Sequence, residues 1–204
     1  IVASGEDTHL FASDVRVEKP TEYGVIVDTR AHARLERVRV RGGKHSALSI
    51  ESQATAHIQD ADIANAGEAG IQAHAATATV VGGAVVASGI AALLARAKGR
   101  VRMTGTRLER SAQALVVVRD GAEATLEDCT LSRANLAGID VGDAGSRAVA
   151  RKCRVDGVRG SGVFVAQGTA SLADCAVSNA QDDLVTVREG GRVSVSGCEL
   201  SGAR

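Results

Sequence analysis

Three aspartates in the C-terminal third of the chain have the chemistry of acid–base residues. Asp182 and Asp183 are neighbours in the polar segment "NAQDDL", and Asp140 lies in "GIDVGD". Two carboxyl groups that flank a glycosidic bond can serve as the acid and the base of its hydrolysis. The alternative to a catalytic role is that Asp182 and Asp183 lie in a solvated turn. For Asp140 the alternative is a surface carboxylate whose charge neighbouring arginines neutralise.

The four cysteines also invite a chemical interpretation. Cys129, Cys153, Cys175 and Cys198 follow one another at steps of 24, 22 and 23 residues. Metal sites use close pairs such as C-x-x-C whose sulfurs converge, whereas this regular spacing indicates one column of a repeat. Such a column predicts a ladder of small buried side chains, and a disulfide between neighbouring repeats is the alternative.

The spacing of about 23 residues between the cysteines recurs along the whole chain. Within each repeat, apolar residues alternate with polar ones, which predicts β-strands. The first strand of each repeat has the inward pairs Val2/Ser4, Val25/Val27, Leu48/Ile50, Ile71/Ala73, Leu93/Ala95, Val116/Val118, Ile139/Val141, Val163/Val165 and Val185/Val187. The second has Leu10/Ala12, Ala33/Leu35, Ala56/Ile58, Thr79/Val81, Val101/Met103, Ala124/Leu126, Ala148/Ala150, Ala170/Leu172 and Val193/Val195. The third has Val15/Val17, Val38/Val40, Ala61/Ile63, Ala84/Val86, Thr106/Leu108, Cys129/Leu131, Cys153/Val155, Cys175/Val177 and Cys198/Leu200.

The connections between these strands are too short to hold a crossover helix. A two-residue corner, Glu127 and Asp128, separates the second strand from the third, and short turns make the other two connections. Each strand must therefore pair with its equivalent one repeat later. The sequence predicts an all-β solenoid of about nine coils of 22 to 24 residues, with three parallel sheets, as a single domain over residues 1–204 of a longer chain.

The segment "GIDVGDAGSRAVARKCRVDGVRGSGVFVAQGTASLADCAV" resembles the right-handed parallel β-helix family, the pectin-lyase-like repeat proteins. The resemblance covers essentially the whole chain and implies a right-handed, three-sheet β-helix. It also implies that the first sheet is the face on which enzymes of the family bind polysaccharide. Asp182 and Asp183 resemble the paired aspartates of polygalacturonase-type hydrolases, but the matching turn one coil earlier, residues 158–162, carries no acid.

The outward positions of the first sheet are unusually apolar. Leu94, Val117 and Phe164 fall on this face, and Gln72, Asp140 and Arg119 border them. These six residues predict a shallow apolar strip of the kind that marks a binding surface. The alternative is that β-propensity alone places branched and aromatic residues on a pleated face.

Composition favours a scaffold over an enzyme. The net charge is zero and only three residues are aromatic, so nothing suggests a nucleic-acid footprint, and no apolar run is long enough to span a membrane. Neither a cofactor nor a metal site is indicated.

We therefore expect a non-catalytic β-helix scaffold of an exported or surface protein. It acts as a spacer or binds a protein or polysaccharide through the first sheet, and its open sheet ends also favour end-to-end self-association. The alternative is a polysaccharide lyase, hydrolase or epimerase that uses Asp140, Asp182 and Asp183.

Overall fold

The computed structural model describes residues 1–202 and consists of strands and turns. Three sheets of nine strands run along the molecule, and every strand pairs in parallel with its equivalent in the next coil. Successive strands of the chain belong to the first, second and third sheet in turn, so the backbone winds around one core. The predicted three-sheet parallel solenoid of about nine coils is confirmed. Within residues 1–202 no helix is long and apolar enough to cross a bilayer.

The strand bounds show the regularity of the coil. The first sheet contains Val2–Ser4, Val25–Asp28, Leu48–Glu51, Ala69–His74, Ala91–Arg96, Ala114–Val118, Ala137–Val141, Ser161–Ala166 and Val185–Arg188. The second contains His9–Ser13, His32–Glu36, Thr55–Gln59, Thr77–Val81, Arg100–Thr104, Glu123–Glu127, Arg147–Arg151, Thr169–Ala173 and Arg192–Ser196. The third contains Arg16–Glu18, Arg39–Arg41, Asp62–Ala64, Ala84–Ser88, Arg107–Ser111, Thr130–Ala134, Arg154–Asp156, Ala176–Ser178 and Glu199–Ser201.

The core is made of aliphatic columns that run the length of the solenoid. In the first sheet Ile71, Leu93, Val116, Ile139 and Val163 stack coil on coil, and none of them is accessible to solvent. Neighbouring strands lie about 4.8 Å apart, which lets branched side chains of similar size touch their equivalents above and below. Aliphatic residues therefore fill an interior too narrow to need aromatic bulk.

The predicted register is wrong in two coils. In the first coil Ala3 is buried and pairs with Val27, so Ile1 and Ala3 point inward in place of Val2 and Ser4. The reason is that the doublet Ile1–Val2 is apolar in both phases, so alternation alone cannot choose between them.

The same ambiguity affects the fourth coil. There the inward residues are Ala78 and Val80 instead of Thr79 and Val81, and Val81 is 39% exposed. In its third strand Val85 is buried and pairs with Ile63, so Gly83 and Val85 replace the predicted Ala84 and Val86. The valine doublets 80–81 and 85–86 fit both phases, and the preceding turn is one residue shorter than the even spacing assumed.

The corner between the second and third sheets is built on one left-handed residue. Asp14, Arg37, Asp60 and Asp128 occupy this position in their coils with φ between 50° and 58°. Opposite charges alternate at the first of these corners, where Arg37 donates to both oxygens of Asp14 at 2.7 Å. This hydrogen bonding lowers the pKa of Asp14 to about 2. The charged column thus links one coil to the next outside the core.

Substitutions of Leu126 test whether the aliphatic columns form the core. It is fully buried in the second sheet, between Met103 and Ala150. Leu126→Ala should lower the free energy of unfolding by roughly 2–5 kcal/mol through the cavity it leaves, and Leu126→Asp should prevent folding because it buries an unpaired charge. Thr125→Ala, on the outward face of the same strand, is the control and should change stability little. Chemical denaturation measures all three, and a stable Leu126→Asp protein would contradict the register.

Candidate functional site

The outward column of the first sheet follows the predicted register. Leu94 pairs with Val117, Val117 with Asp140, and Asp140 with Phe164. Phe164 in turn pairs with Thr186 in the last coil. With Gln72, which pairs with Leu94, the five predicted site residues of this column therefore point to the same side of the sheet.

This column is less exposed than the sequence suggested. Val117 is only 9% exposed, and Leu94 and Phe164 are partly buried. They pack with Ala91, Ala114 and Ala137, which begin successive strands of the first sheet and form a second, smaller apolar cluster outside the main core. Small residues at the start of each strand therefore cover the shallow apolar strip over Leu94 and Val117 from one side, and a binding role for the strip stays a prediction.

Gly138 lets the start of its strand lie close to the third sheet. A side chain at Gly138, directly after Ala137, would overlap the side chain of Val155, and it would lie 2.5 Å from the carbonyl oxygen of Gly162.

Gln72 does not form a rim at the N-terminal end of the column. It is 4% exposed, and its Oε1 accepts a hydrogen bond of 3.1 Å from the hydroxyl of Ser46. Ser46 occupies the same place at the start of its strand as the alanines of the outer cluster. Gln72 therefore contributes to the packing of the solenoid and offers little surface to a ligand.

Asp140 and Arg119 form an ion pair beside the outward column. The Nη2 atom of Arg119 donates to Oδ2 of Asp140 at 2.7 Å, and Gly142 leaves the space that the guanidinium group fills. The other carboxylate oxygen, Oδ1, is buried with no hydrogen-bond partner among residues 1–202. Burial raises the pKa of Asp140, Arg119 opposes that rise, and the nearby Asp143 adds to it.

Asp140 shares one cavity with the other two aspartates. The cavity lies on the first sheet near its C-terminal end and has a volume of about 490 Å³. Its lining residues come from the outward column, the turns and the last strands: Asn135, Leu136, Ala137, Asp140, Arg159, Gly160, Ser161, Phe164, Asp182, Asp183, Thr186 and Arg188. The structure thus brings Asp140, Phe164, Asp182 and Asp183 together but leaves Gln72, Leu94, Val117 and Arg119 outside the lining.

The polar groups of this cavity are partly engaged with one another. The hydroxyl of Thr186 donates to Oδ2 of Asp183 at 3.0 Å and lies 2.7 Å from the hydroxyl of Ser161. The guanidinium carbon of Arg188 lies 5.9 Å from the centre of the Phe164 ring, which is cation–π geometry. The cavity therefore combines an aromatic face with charged groups of both signs.

Sequence reasoning missed Leu136, which lines this cavity and is 59% exposed. It precedes a strand, so strand alternation assigns it no face. A large aliphatic residue in an otherwise polar turn was the available signal.

The cysteine column has a structural explanation. All four thiols are free, and each donates to the carbonyl oxygen two residues earlier at 3.2 to 3.3 Å. Thr106, in the same column, donates to Thr104 in the same way at 3.2 Å. These side chains fill a small space beside the corner and satisfy a carbonyl there. Within residues 1–202, no three His, Cys, Asp or Glu side chains are grouped so that they could hold a metal ion.

Comparison with known proteins agrees with this architecture. A family model described as "Right handed beta helix region" matches residues 23–200. The chain belongs to this family, which confirms the predicted fold and is consistent with the pectin-lyase-like resemblance. No curated protein matches the chain in sequence.

Two solved structures resemble the chain weakly. One is trypsin-treated QnrB1, a plasmid-mediated fluoroquinolone resistance protein, at 11% identity over 94% of this chain and 90% of that one, with a TM-score of 0.27. The other is HetL, a pentapeptide repeat protein involved in heterocyst differentiation regulation from the cyanobacterium Nostoc, at 14% identity over 92% and 87%, with a TM-score of 0.23.

The raised pKa of Asp140 predicts a pH-dependent stability. Its folded pKa exceeds the unfolded value of about 3.9, so its contribution to the free energy of unfolding decreases as the pH rises through the folded pKa. Urea unfolding of the wild type and Asp140→Asn from about pH 2 to about pH 7 measures this, and wild-type stability minus variant stability should fall as the pH rises above about 4.

Asp143→Asn is the control for this measurement. The backbone N–H of Asp120, which donates to Asp143 at 2.9 Å, lowers the pKa of Asp143, so its contribution is lost as the pH falls. The difference between wild type and Asp143→Asn should therefore have the opposite slope. Equal slopes for the two variants would contradict the assignment.

Proposed function

We propose that the chain is a non-catalytic binding scaffold of an exported or surface protein, and that its working face is the cavity on the first sheet. One observation carries this proposal. The cavity places the aromatic ring of Phe164 and the exposed side chain of Leu136 beside charged groups, including Arg188 and Asp183. Apolar side chains beside a few oriented polar groups are common features of binding sites, although most residues that line this cavity are polar or charged.

A polysaccharide is the partner that this composition favours. The ring of Phe164 offers a flat apolar surface to the face of a sugar, while Asp183, Ser161 and Arg188 can exchange hydrogen bonds with hydroxyl groups. A protein is the alternative partner for this cavity. The resemblance to β-helix proteins supports the exported or surface location.

End-to-end self-association is a further part of the proposal. In the last coil the inward residues Val187, Val195 and Leu200 are 43 to 45% exposed, because no further coil in residues 1–202 covers them. A parallel sheet edge also carries unpaired N–H and C=O groups. Either a further coil of the same chain or a second copy would satisfy both needs.

Replacement of the two apolar groups tests the binding face. Phe164→Ser combined with Leu136→Ser should weaken the binding of an extended polysaccharide about tenfold or more, as expected when about 1.4 kcal/mol or more of contact energy is lost. Phe11→Ser is the matched control, because Phe11 is 66% exposed on the second sheet. Glycan arrays followed by calorimetry measure the effect. Equal binding by all three proteins, or binding of no polysaccharide, would refute the glycan proposal.

Glycoside hydrolysis is the second candidate, and the meeting of Asp140, Asp182 and Asp183 in one cavity favours it. In such a reaction Asp140, with its raised pKa, would serve as the acid. Its ion pair with Arg119 opposes this role because it stabilises the charged form. The scaffold proposal expects no release of reducing ends from polysaccharides that bind. Release that Asp140→Asn and Asp183→Asn each abolish, with binding retained, would establish the enzyme instead.

A further inference from the structure

A second concavity lies on the turns that connect the third sheet to the first. We call it the arginine trough, and its volume is about 640 Å³. Its lining residues are Asn65, Ala66, Ala87, Ser88, Gly89, Arg110, Ser111, Ala112, Arg133, Ala134, Asn135, Gly157, Arg159 and Gln181. The lining contains three arginines and no acidic residue.

The charge of the trough stands out in a chain whose net charge is zero. Glu109 lies against it, with a side chain that is only 9% exposed, and it pairs with Arg107 and Arg133 while the Nε atom of Arg110 lies 3.6 Å away. Glu109 neutralises one positive charge among Arg107, Arg110 and Arg133, so these three arginines and Arg159 together keep a net charge of +3. Arg159 forms no ion pair with any residue in 1–202.

The shape of the trough fits an extended ligand. Its lining runs from Asn65 in the third coil to Gln181 in the eighth, which is a length of about 24 Å at about 4.8 Å per coil. A volume of about 640 Å³ spread over that length describes a shallow groove that is open to solvent. The base consists of alanine, glycine and serine, so a chain can lie close to the backbone of the turns.

The side chains of the trough match a peptide. Arginine binds carboxylates through paired hydrogen bonds, and the amides of Asn65, Asn135 and Gln181 can both donate to and accept from a peptide backbone. Aromatic residues, on which nucleobases stack, do not occur in the lining. Arginine clusters are a recurring means of recognising acidic motifs.

The base of the trough also holds unused hydrogen-bonding capacity. Ser88 and Ser111 follow one another in the third sheet and are 3% exposed, and their hydroxyl oxygens have no hydrogen-bond partner within residues 1–202. The protein leaves these two polar groups unsatisfied directly beside the arginines.

We propose that the arginine trough binds an extended acidic peptide segment of a partner protein. This site is separate from the cavity on the first sheet, although Asn135 and Arg159 border both. Arg110 and Arg133 line the trough alone, so they report on it without altering the proposed polysaccharide site. Each arginine supplies a charge-assisted contact to one acidic side chain of the peptide.

A fluorescent hepta-glutamate peptide is the probe, and fluorescence anisotropy with the full chain is the measurement. Arg110→Gln combined with Arg133→Gln should weaken binding about tenfold or more and reduce its dependence on salt. Arg147→Gln combined with Arg151→Gln, which removes the same charge from the second sheet, should leave the affinity within about twofold of wild type. Phe164→Ser should also leave it unchanged, which separates this result from the test of the first-sheet cavity.

In the variant that lacks Arg110 and Arg133, Arg107 is the one ion-pair partner left to Glu109, so that variant could be less stable than the wild type. The triple variant Glu109→Gln, Arg110→Gln, Arg133→Gln removes the buried carboxylate as well and provides a folded comparison. Equal weakening by the Arg147/Arg151 control would overturn the site. Tighter binding of a heparin oligosaccharide or of single-stranded DNA of equal charge, lost in the same variants, would overturn the peptide as its ligand. Absence of hepta-glutamate binding by the wild type would also overturn the proposal that the trough binds an acidic peptide.

Discussion

The stacking of each inward side chain on its equivalent one coil away is the constraint on which this solenoid depends. Parallel pairing holds neighbouring strands about 4.8 Å apart, so a column accepts only side chains of similar bulk along its length. This explains why aliphatic residues and cysteine serve where a compact domain would use aromatics. It also fixes the outward side chains in rows, and those rows determine which surface groups can meet.

Most of the fold could be predicted from the sequence because burial on one face imposes strict alternation. Prediction was incorrect where the sequence is apolar in both phases, as at Ile1–Val2 and Val80–Val81. Val80 is buried and Val81 is exposed, yet the two residues are identical in type. Only the length of the preceding turn decides between them, and the length of this turn varies by up to two residues between coils.

The candidate site was less predictable because its walls come from turns. Strand alternation placed Asp140 and Phe164 on the same face, where they pair, and the sequence drew attention to Asp182 and Asp183. It could not show that Ala114 and Ala137 pack against Val117 from outside, because alanine at the start of a strand fits an exposed position equally well. Leu136 lies in a turn, where periodicity assigns no direction.

Charge on the outer surface follows the same coil geometry. A residue and its equivalent in the next coil are always neighbours, so alternating signs neutralise a column, as Asp14 and Arg37 do at the corner. The turn that carries Arg110 and Arg133 breaks this rule, since two arginines follow one another and share the single acid Glu109. Like charges in adjacent coils repel unless an anion lies between them. Glu109 supplies one such anion, and an acidic side chain of a bound peptide would neutralise part of the positive charge that remains.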